Sequence, residues 1–347
     1  MLANQAETPI EKALRFFVIG CGSIGKRHMR NLQLLNAGEI FVYDEEVSRR
    51  HEVMEKFHVE GVKNLEEGWD RSPNVAFITA PTSLHIPLAL EAARHGCHLF
   101  IEKPLSDRLA PQLLQLLDIV KERNLITLVG CNMRFHPVLV KVKRLLEEQA
   151  IGQVVAARLE VGQYLPDWHP WEDYRKGYSA RKDLGGGVIL DAIHEIDYIR
   201  WMFGDIASVA CLSGKLSHLE TDTEDTAALL LQFTNGTIGE VHLDYVQRTA
   251  SRTGHIIGDE GTIRWDVIGG EVHWYSTRTG HWETFQNSKD WDPNQIYIEE
   301  MKHFLRCLEG SETPAQDVFE ATEVLKIALA AKRSSETRQF IKPGDIR

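Results

Sequence analysis

The chain lacks the features that would place it in a membrane or outside the cell. No hydrophobic run approaches the roughly 20 residues of a membrane-spanning helix. The opening stretch, broken by Asn4, Gln5, Glu7, Pro9, Glu11 and Lys12, has no apolar centre of the kind a secretory signal needs. Cysteine is scarce: Cys21, Cys97, Cys131, Cys211 and Cys307 are odd in number, widely spaced and without a C-x-x-C pair. That excludes a disulfide framework and predicts buried free thiols in a reduced, cytoplasmic chain. Positive charge is also short. With 39 Lys and Arg against 50 Asp and Glu the formal charge is -11, so neither nucleic acid nor an anionic membrane is expected as a partner. No H-E-x-x-H spacing accompanies Asp191, His194, Glu195 and Asp197, so no metal is expected there. Internal repeats and low-complexity segments are absent.

A chain of 347 residues that is 43% hydrophobic exceeds one ordinary core and predicts two domains. The pattern changes near residue 130, which sets them at 1–130 and 131–347. Before that point, apolar runs alternate with helical patterns: Phe16 to Ile19, Glu39 to Asp44, Val75 to Thr79, His98 to Ile101 and Leu125 to Val129, with helices expected at Ile86 to Arg94 and Leu109 to Arg123. Near-continuous apolar strands separated by helices predict a doubly wound parallel sheet covered on both faces. After it come a helix near Val138 to Gln149 and alternating strands such as Val154 to Val161. Turns at Asn235-Gly236 and Asp259-Glu260-Gly261 then join strands as hairpins. The second half therefore reads as α+β with a large, open, mostly antiparallel sheet. Helices near Gln295 to Leu308 and Ala315 to Ser334 close the fold and are free to pack back on the first domain.

The first strand runs into Gly20-Cys21-Gly22-Ser23-Ile24-Gly25, a G-x-G-x-x-G turn opening a helix. Gly20 permits the tight exit, Gly22 lets backbone approach a pyrophosphate, and Gly25 lets helix and strand pack closely. Helix N–H groups then face the phosphates. Asp44 ends the second strand 19 residues after Gly25, where a carboxylate accepts hydrogen bonds from the ribose hydroxyls and repels a 2′-phosphate. The turn therefore predicts NAD, with NADP disfavoured. Thr79-Ala80-Pro81 and His85 follow the strand that begins at Val75 and Glu102-Lys103-Pro104 the strand that begins at His98, both at carboxyl ends of parallel strands, the edge where open α/β sheets bind ligands.

Taken together, the Gly20 to Gly25 fingerprint, Glu102-Lys103-Pro104 and Gly130-Cys131-Asn132-Met133-Arg134-Phe135-His136-Pro137 resemble the glucose-fructose oxidoreductase, inositol dehydrogenase and MocA family over nearly the whole chain. The resemblance implies a Rossmann domain, a second domain with an open sheet, no metal, and hydride transfer between a nicotinamide and a sugar or cyclitol carbon. It carries the family's catalytic lysine onto Lys103 and suggests a cis bond to Pro104. An ammonium at the mouth of the cleft polarises a substrate oxygen, and burial is expected to tune it toward neutrality. Glu102 either positions the lysine or caps the strand. Arg134, just past the last strand, is expected near the nicotinamide.

The second catalytic segment follows Gly185-Gly186-Gly187. On one helix Asp191 and His194 would share a face, so that Asp191 orients substrate or the imidazole while His194 takes the hydroxyl proton. Many of the family's polyol dehydrogenases place the histidine four residues after the aspartate, and other branches use the shorter spacing. Here it follows by three and Glu195 stands in that place, which makes Glu195 the alternative base. Ahead of the glycines, an irregular loop carries Tyr164, Trp168, Trp171, Tyr174, Arg175, Lys176, Tyr178, Arg181 and Lys182. Tyr164 and Trp171 offer faces to a sugar, and the cations, Arg175 and Lys182 among them, are expected to hold an anionic one. The reading is an NAD-dependent oxidoreductase of a sugar or sugar derivative, anionic in character as a sugar acid or nucleotide sugar, forming a homo-oligomer (dimer or tetramer). Its alternatives are a redox-neutral enzyme that retains NAD and a non-catalytic NAD-binding sensor.

Overall fold

The computed structural model describes residues 14–168, 170 and 172–347. Its first sheet holds β1 (Leu14–Ile19), β2 (Gly38–Tyr43), β3 (Glu60–Gly61), β4 (Val75–Ile78), β5 (His98–Ile101) and β6 (Thr127–Val129), all parallel in the order β3-β2-β1-β4-β5-β6. The helices between them are α1 (Ser23–Leu34), α2 (Val47–Phe57), α3 (Leu65–Asp70), α4 (His85–Arg94) and α5 (Pro111–Arg123). Each central strand is apolar on both faces because helices cover both. Phe16, Val18, Phe77 and Phe100 pack with Met29 and Leu32 of α1, while Phe17, Ile19, Ala76 and Ile78 pack with Trp69, Ala89 and Leu116. The strand order reverses between β1 and β4, so the crevice at their carboxyl ends is the place for a ligand.

α6 (Pro137–Glu147) leads to the second sheet: β7 (Val154–Gly162), β8 (Ile206–Gly214), β9 (Thr226–Phe233), β10 (Ile238–Asp244), β11 (Ser251–Gly258), β12 (Gly261–Asp266), β13 (Glu271–Ser276) and β14 (Trp282–Gln286). The order is β14-β13-β12-β11-β7-β10-β9-β8, antiparallel except for the parallel β7–β10 pair. Both expected hairpins form, with Gly236 at φ +92° in the first turn. Along β9, Ala227, Leu229, Leu231 and Phe233 are buried while Ala228, Leu230 and Gln232 are exposed, so one face packs inward and the other stays open.

The inner face is covered by α7 (Val188–Asp191), α8 (Ile193–Phe203) and α10 (Val318–Thr337), and α9 (Gln295–Leu308) lies on the first sheet's layer. Met301 and Phe304 of α9 enter the core beside Phe77 and Phe100. Ser334 and Ser335 of α10 accept backbone N–H groups of Cys211 and Ser213 at 2.9 Å each, which covers the edge of β8. No helix among the described residues is long and apolar enough to cross a membrane.

Candidate active site

The glycine turn is shaped for a dinucleotide. Gly20 sits at φ +108°, and a Cβ there would lie 2.6 Å from the Thr79 carbonyl; one on Gly25 would lie 2.1 Å from the Gly20 oxygen. A Cβ on Gly22 would meet nothing within 4 Å, so backbone there borders open space. Gly22 caps α1 without a side-chain hydrogen bond, and the first turn, beginning Ser23-Ile24, carries no acid. Its N–H groups are therefore left for an anion. The Asp44 carboxylate, 8% exposed, accepts from Cys21 N at 2.7 Å and Glu46 N at 2.9 Å, which fixes it at the end of β2. Burial and then Asp44 push the Cys21 thiol up to about 12, so it fills space as a neutral thiol. These observations fit an NAD adenosine and pyrophosphate.

The loops after β4 and β5 brace one another. Thr79 Oγ1 donates to the Gly20 oxygen at 2.7 Å. The ring of His85 lies 2.8 Å from both the Ala80 and Pro104 carbonyls, and burial lowers its pKa against the pull of those two acceptors. It thereby ties the Ala80-Pro81 loop to the cis Lys103-Pro104 bond. Glu102 reaches His28 of α1, with Oε1 2.6 Å from Nε2, and its other oxygen accepts the Lys103 N–H at 3.2 Å. His85 and Glu102 thus brace the backbone around the lysine.

Lys103 reaches across to the segment after the triple glycine. Its Nζ lies 3.0 Å from both the Asp191 carbonyl and Asp191 Oδ1 and 3.2 Å from the Tyr178 hydroxyl. The Asp191 carboxylate also accepts from Tyr178, from Ser179 Oγ at 2.7 Å and from the Tyr245 hydroxyl at 3.0 Å. Burial pushes Asp191 up, and Lys103 with the Tyr178 and Ser179 hydroxyls more than reverses it. Burial pulls Lys103 down, but Tyr178 and Asp191 raise it above the ordinary lysine range. The expectation of a lysine tuned toward neutrality is therefore corrected: its partners stabilise the ammonium more than desolvation opposes it.

Asp191 and His194 do not share one helix. Asp191 ends α7, the helix is interrupted at Ala192 (ψ 31°), and His194 is the second residue of α8. The Asp191 partners are Lys103, Tyr178, Ser179 and Tyr245, and the imidazole is not among them. His194 is 8% exposed and its buried Nδ1 has no partner among the described residues. Burial, then Lys103 and Arg252, hold it well below the ordinary histidine pKa. Glu195, the alternative base, is fully buried and pinned by Arg252 of β11 at 2.8 Å and by the Tyr198 hydroxyl.

Arg134 is also placed differently from the expectation. It forms a buried two-point pair with Asp197 of α8, at 2.6 and 2.9 Å, and donates to the Ala315 carbonyl, so its guanidinium joins elements of the protein. Arg175 is held by Asp173 at 2.7 Å and Glu220 at 3.1 Å, and Arg181 by Asp183 at 2.5 Å. Lys182 is exposed and anchored through its own N–H to Asp222. Tyr164 is stacked under Arg248 at 3.5 Å, and Trp171 lies outside the described residues. Tyr178 was visible in the aromatic loop, whereas Tyr245, 54 residues past Asp191, carries no local signal.

Two domain matches bear on identity. Residues 14–131 match the NAD-binding Rossmann domain of an oxidoreductase family and residues 139–264 the GFO/IDH/MocA C-terminal domain. The chain is 27% identical to myo-inositol 2-dehydrogenase of Thermotoga maritima over 96% of this chain and 99% of that one. It is 28% identical to scyllo-inositol 2-dehydrogenase (NAD(+)) of Bacillus subtilis over 94% and 95%. A levoglucosan dehydrogenase solved with NADH shares the fold, with a TM-score of 0.85 at 20% identity, covering 95% of this chain and 98% of that one. The two domain matches together span most of the chain, and the chain belongs to the GFO/IDH/MocA family of NAD-binding oxidoreductases.

Proposed function

We propose that this enzyme uses NAD to interconvert a secondary hydroxyl and a ketone on a neutral polyol or sugar. The observation that carries the reading is the Lys103 ammonium, fixed by Asp191 and Tyr178 at the carboxyl edge of the sheet beside the glycine turn. NAD, when bound, supplies the hydride acceptor. Lys103 donates a hydrogen bond to the substrate oxygen and stabilises negative charge as the hydroxyl proton leaves. His194, neutral and buried, takes that proton. Asp191 is a positioning residue, acting through Lys103 and the hydroxyls of Tyr178 and Tyr245 and not through the imidazole. The inositol dehydrogenases among the relatives support a cyclitol or similar polyol. An anionic substrate finds less support, because Arg175 and Arg181 are already bound by acids.

Self-association belongs to the same reading, with a second copy covering the open face of the second sheet. That face exposes Leu212 and Leu230 around a hollow of about 750 Å³ that is also lined by Arg264 and by Arg158, paired with Glu240 at 3.0 Å, a mixture of signs that complements itself across a two-fold axis. For the chemistry, the test is a panel of neutral polyols, sugars and sugar acids with NAD, followed by absorbance of the reduced cofactor. The reading expects net reduced cofactor with a neutral polyol or sugar. A sugar acid as best substrate, or turnover without net reduction, would overturn it.

A further inference from the structure

Behind the Lys103 loop lies a buried polar cluster that takes no part in the Lys103–Asp191 pair. Glu102, 8% exposed, meets His28 Nε2 through Oε1 and the Lys103 N–H through its other oxygen. It is wedged against Gly130, where a Cβ would lie 3.2 Å from Oε1. On the other side stands α9, with Tyr297, Glu300 and Phe304 on one face. The Tyr297 ring lies 6.4 Å from that of His28, and the Phe304 ring 5.5 Å from Phe100, whose own ring is 4.8 Å from His28. Glu300, between them in sequence, is thereby set toward the His28–Glu102 pair. It is 1% exposed, and neither its Oε1 nor His28 Nδ1 has a partner among the described residues.

Glu300 makes no ion pair among the described residues. Its titratable and charged neighbours are already committed. From α1 come His28, which meets Glu102, and Arg27, which stacks over Tyr297 at 4.3 Å. The end of β5 brings the Glu102 carboxylate, and the turn after β6 brings Cys131, kept a thiol chiefly by burial. α9 itself adds Tyr297 and His303, the latter held by Glu312. A buried carboxylate without a partner costs far more than a neutral acid, and burial with the Glu102 charge holds Glu300 well above the ordinary carboxylate range. At neutral pH it is therefore an O–H donor among acceptors.

We propose that Glu300 is a positioning residue for Lys103: its un-ionised carboxyl donates to the Glu102–His28 pair, directly or through one buried water, and so steadies the carboxylate that holds the Lys103 N–H. The proposal rests on the reading that Lys103 is the polar centre of the reaction. Once ionised, Glu300 would set a second negative charge beside Glu102 and loosen its hold, so turnover falls as pH rises through that ionisation.

The test compares the parent with Glu300→Gln, which keeps a donor and cannot ionise, with Glu300→Leu, which has no donor, and with Glu299→Gln at the half-exposed neighbouring acid. The readouts are kcat against pH with the neutral polyol that the substrate panel selects, NADH affinity by fluorescence, and the infrared carbonyl band of an un-ionised carboxylic acid in protein isotope-labelled at glutamate. The parent is expected to show that band at neutral pH, to lose it in step with turnover at alkaline pH, and to lack it in Glu300→Gln. Glu300→Leu lowers kcat about tenfold, the scale of one hydrogen bond to a charged group, with NADH affinity within about twofold of the parent. Glu300→Gln restores most of that turnover and has no alkaline limb, and Glu299→Gln behaves as the parent does. A parent without the band or without an alkaline limb, a limb that survives Glu300→Gln, or parent turnover in Glu300→Leu would overturn the proposal. The band titrates in the parent without substrate and without any variant, so it decides Glu300's state even where Glu300→Leu does not fold; a parent that oxidises no polyol would contradict the proposed function instead.

Discussion

At the residue scale the central observation is a division of labour that spacing alone does not reveal. Asp191 spends its carboxylate on Lys103, Tyr178, Ser179 and Tyr245, and His194 is left to burial and to the positive charges of Lys103 and Arg252. All three influences disfavour the imidazolium, so the folded pKa is lowered. The neutral base therefore persists as pH falls through the ordinary histidine range, and protonation sets in only below it. The expected pH profile of kcat/KM is flat through neutrality, with its acid limb below 6.5, and His194→Asn removes that limb. A limb at or above 6.5, or one lost on Glu195→Gln instead, would assign the base elsewhere. Glu195 is a poor candidate because its carboxylate is already held by Arg252 and Tyr198.

At the scale of elements, the break at Ala192 turns one expected helix into α7 and α8, and it is what points Asp191 toward Lys103. Arg134 secures the second of these helices. Removing one partner of a buried, two-point ion pair leaves the other uncompensated, which typically costs about 3–5 kcal/mol. Arg134→Met is therefore expected to lower the unfolding midpoint sharply by calorimetry, while the folded fraction binds NADH with parent affinity; a stable variant that loses NADH would restore the cofactor role. The elements themselves were largely legible. Gly20 to Gly25, Glu102-Lys103-Pro104 and the Asn235-Gly236 hairpin are contiguous signals, each fixed by local backbone demands. What stayed hidden is contact between distant segments. Tyr245 on Asp191, Asp197 on Arg134 and Glu220 on Arg175 are pairings that only the folded topology brings together.

At the scale of the whole molecule, the first sheet supplies the cofactor edge, and the second, with α7 and α8 on its inner face, supplies the wall that carries Asp191, His194 and Tyr245. The open face of the second sheet leaves Leu212 61% and Leu230 50% exposed. If a second copy covers it, Leu230→Lys is expected to shift sedimentation toward monomer with the fold intact, and an unchanged oligomer would place the interface elsewhere. The central claim, however, is that Lys103 is the polar centre of hydride transfer while the glycine turn holds NAD independently. The direct measurement is the turnover of Lys103→Met set beside its NADH affinity in the same preparation. Turnover reduced by about 10²–10⁴-fold, the loss expected for a positioned proton-transfer or charge-stabilising group, with NADH binding near the parent value is the predicted result. Near-normal turnover with NADH still bound would contradict the account.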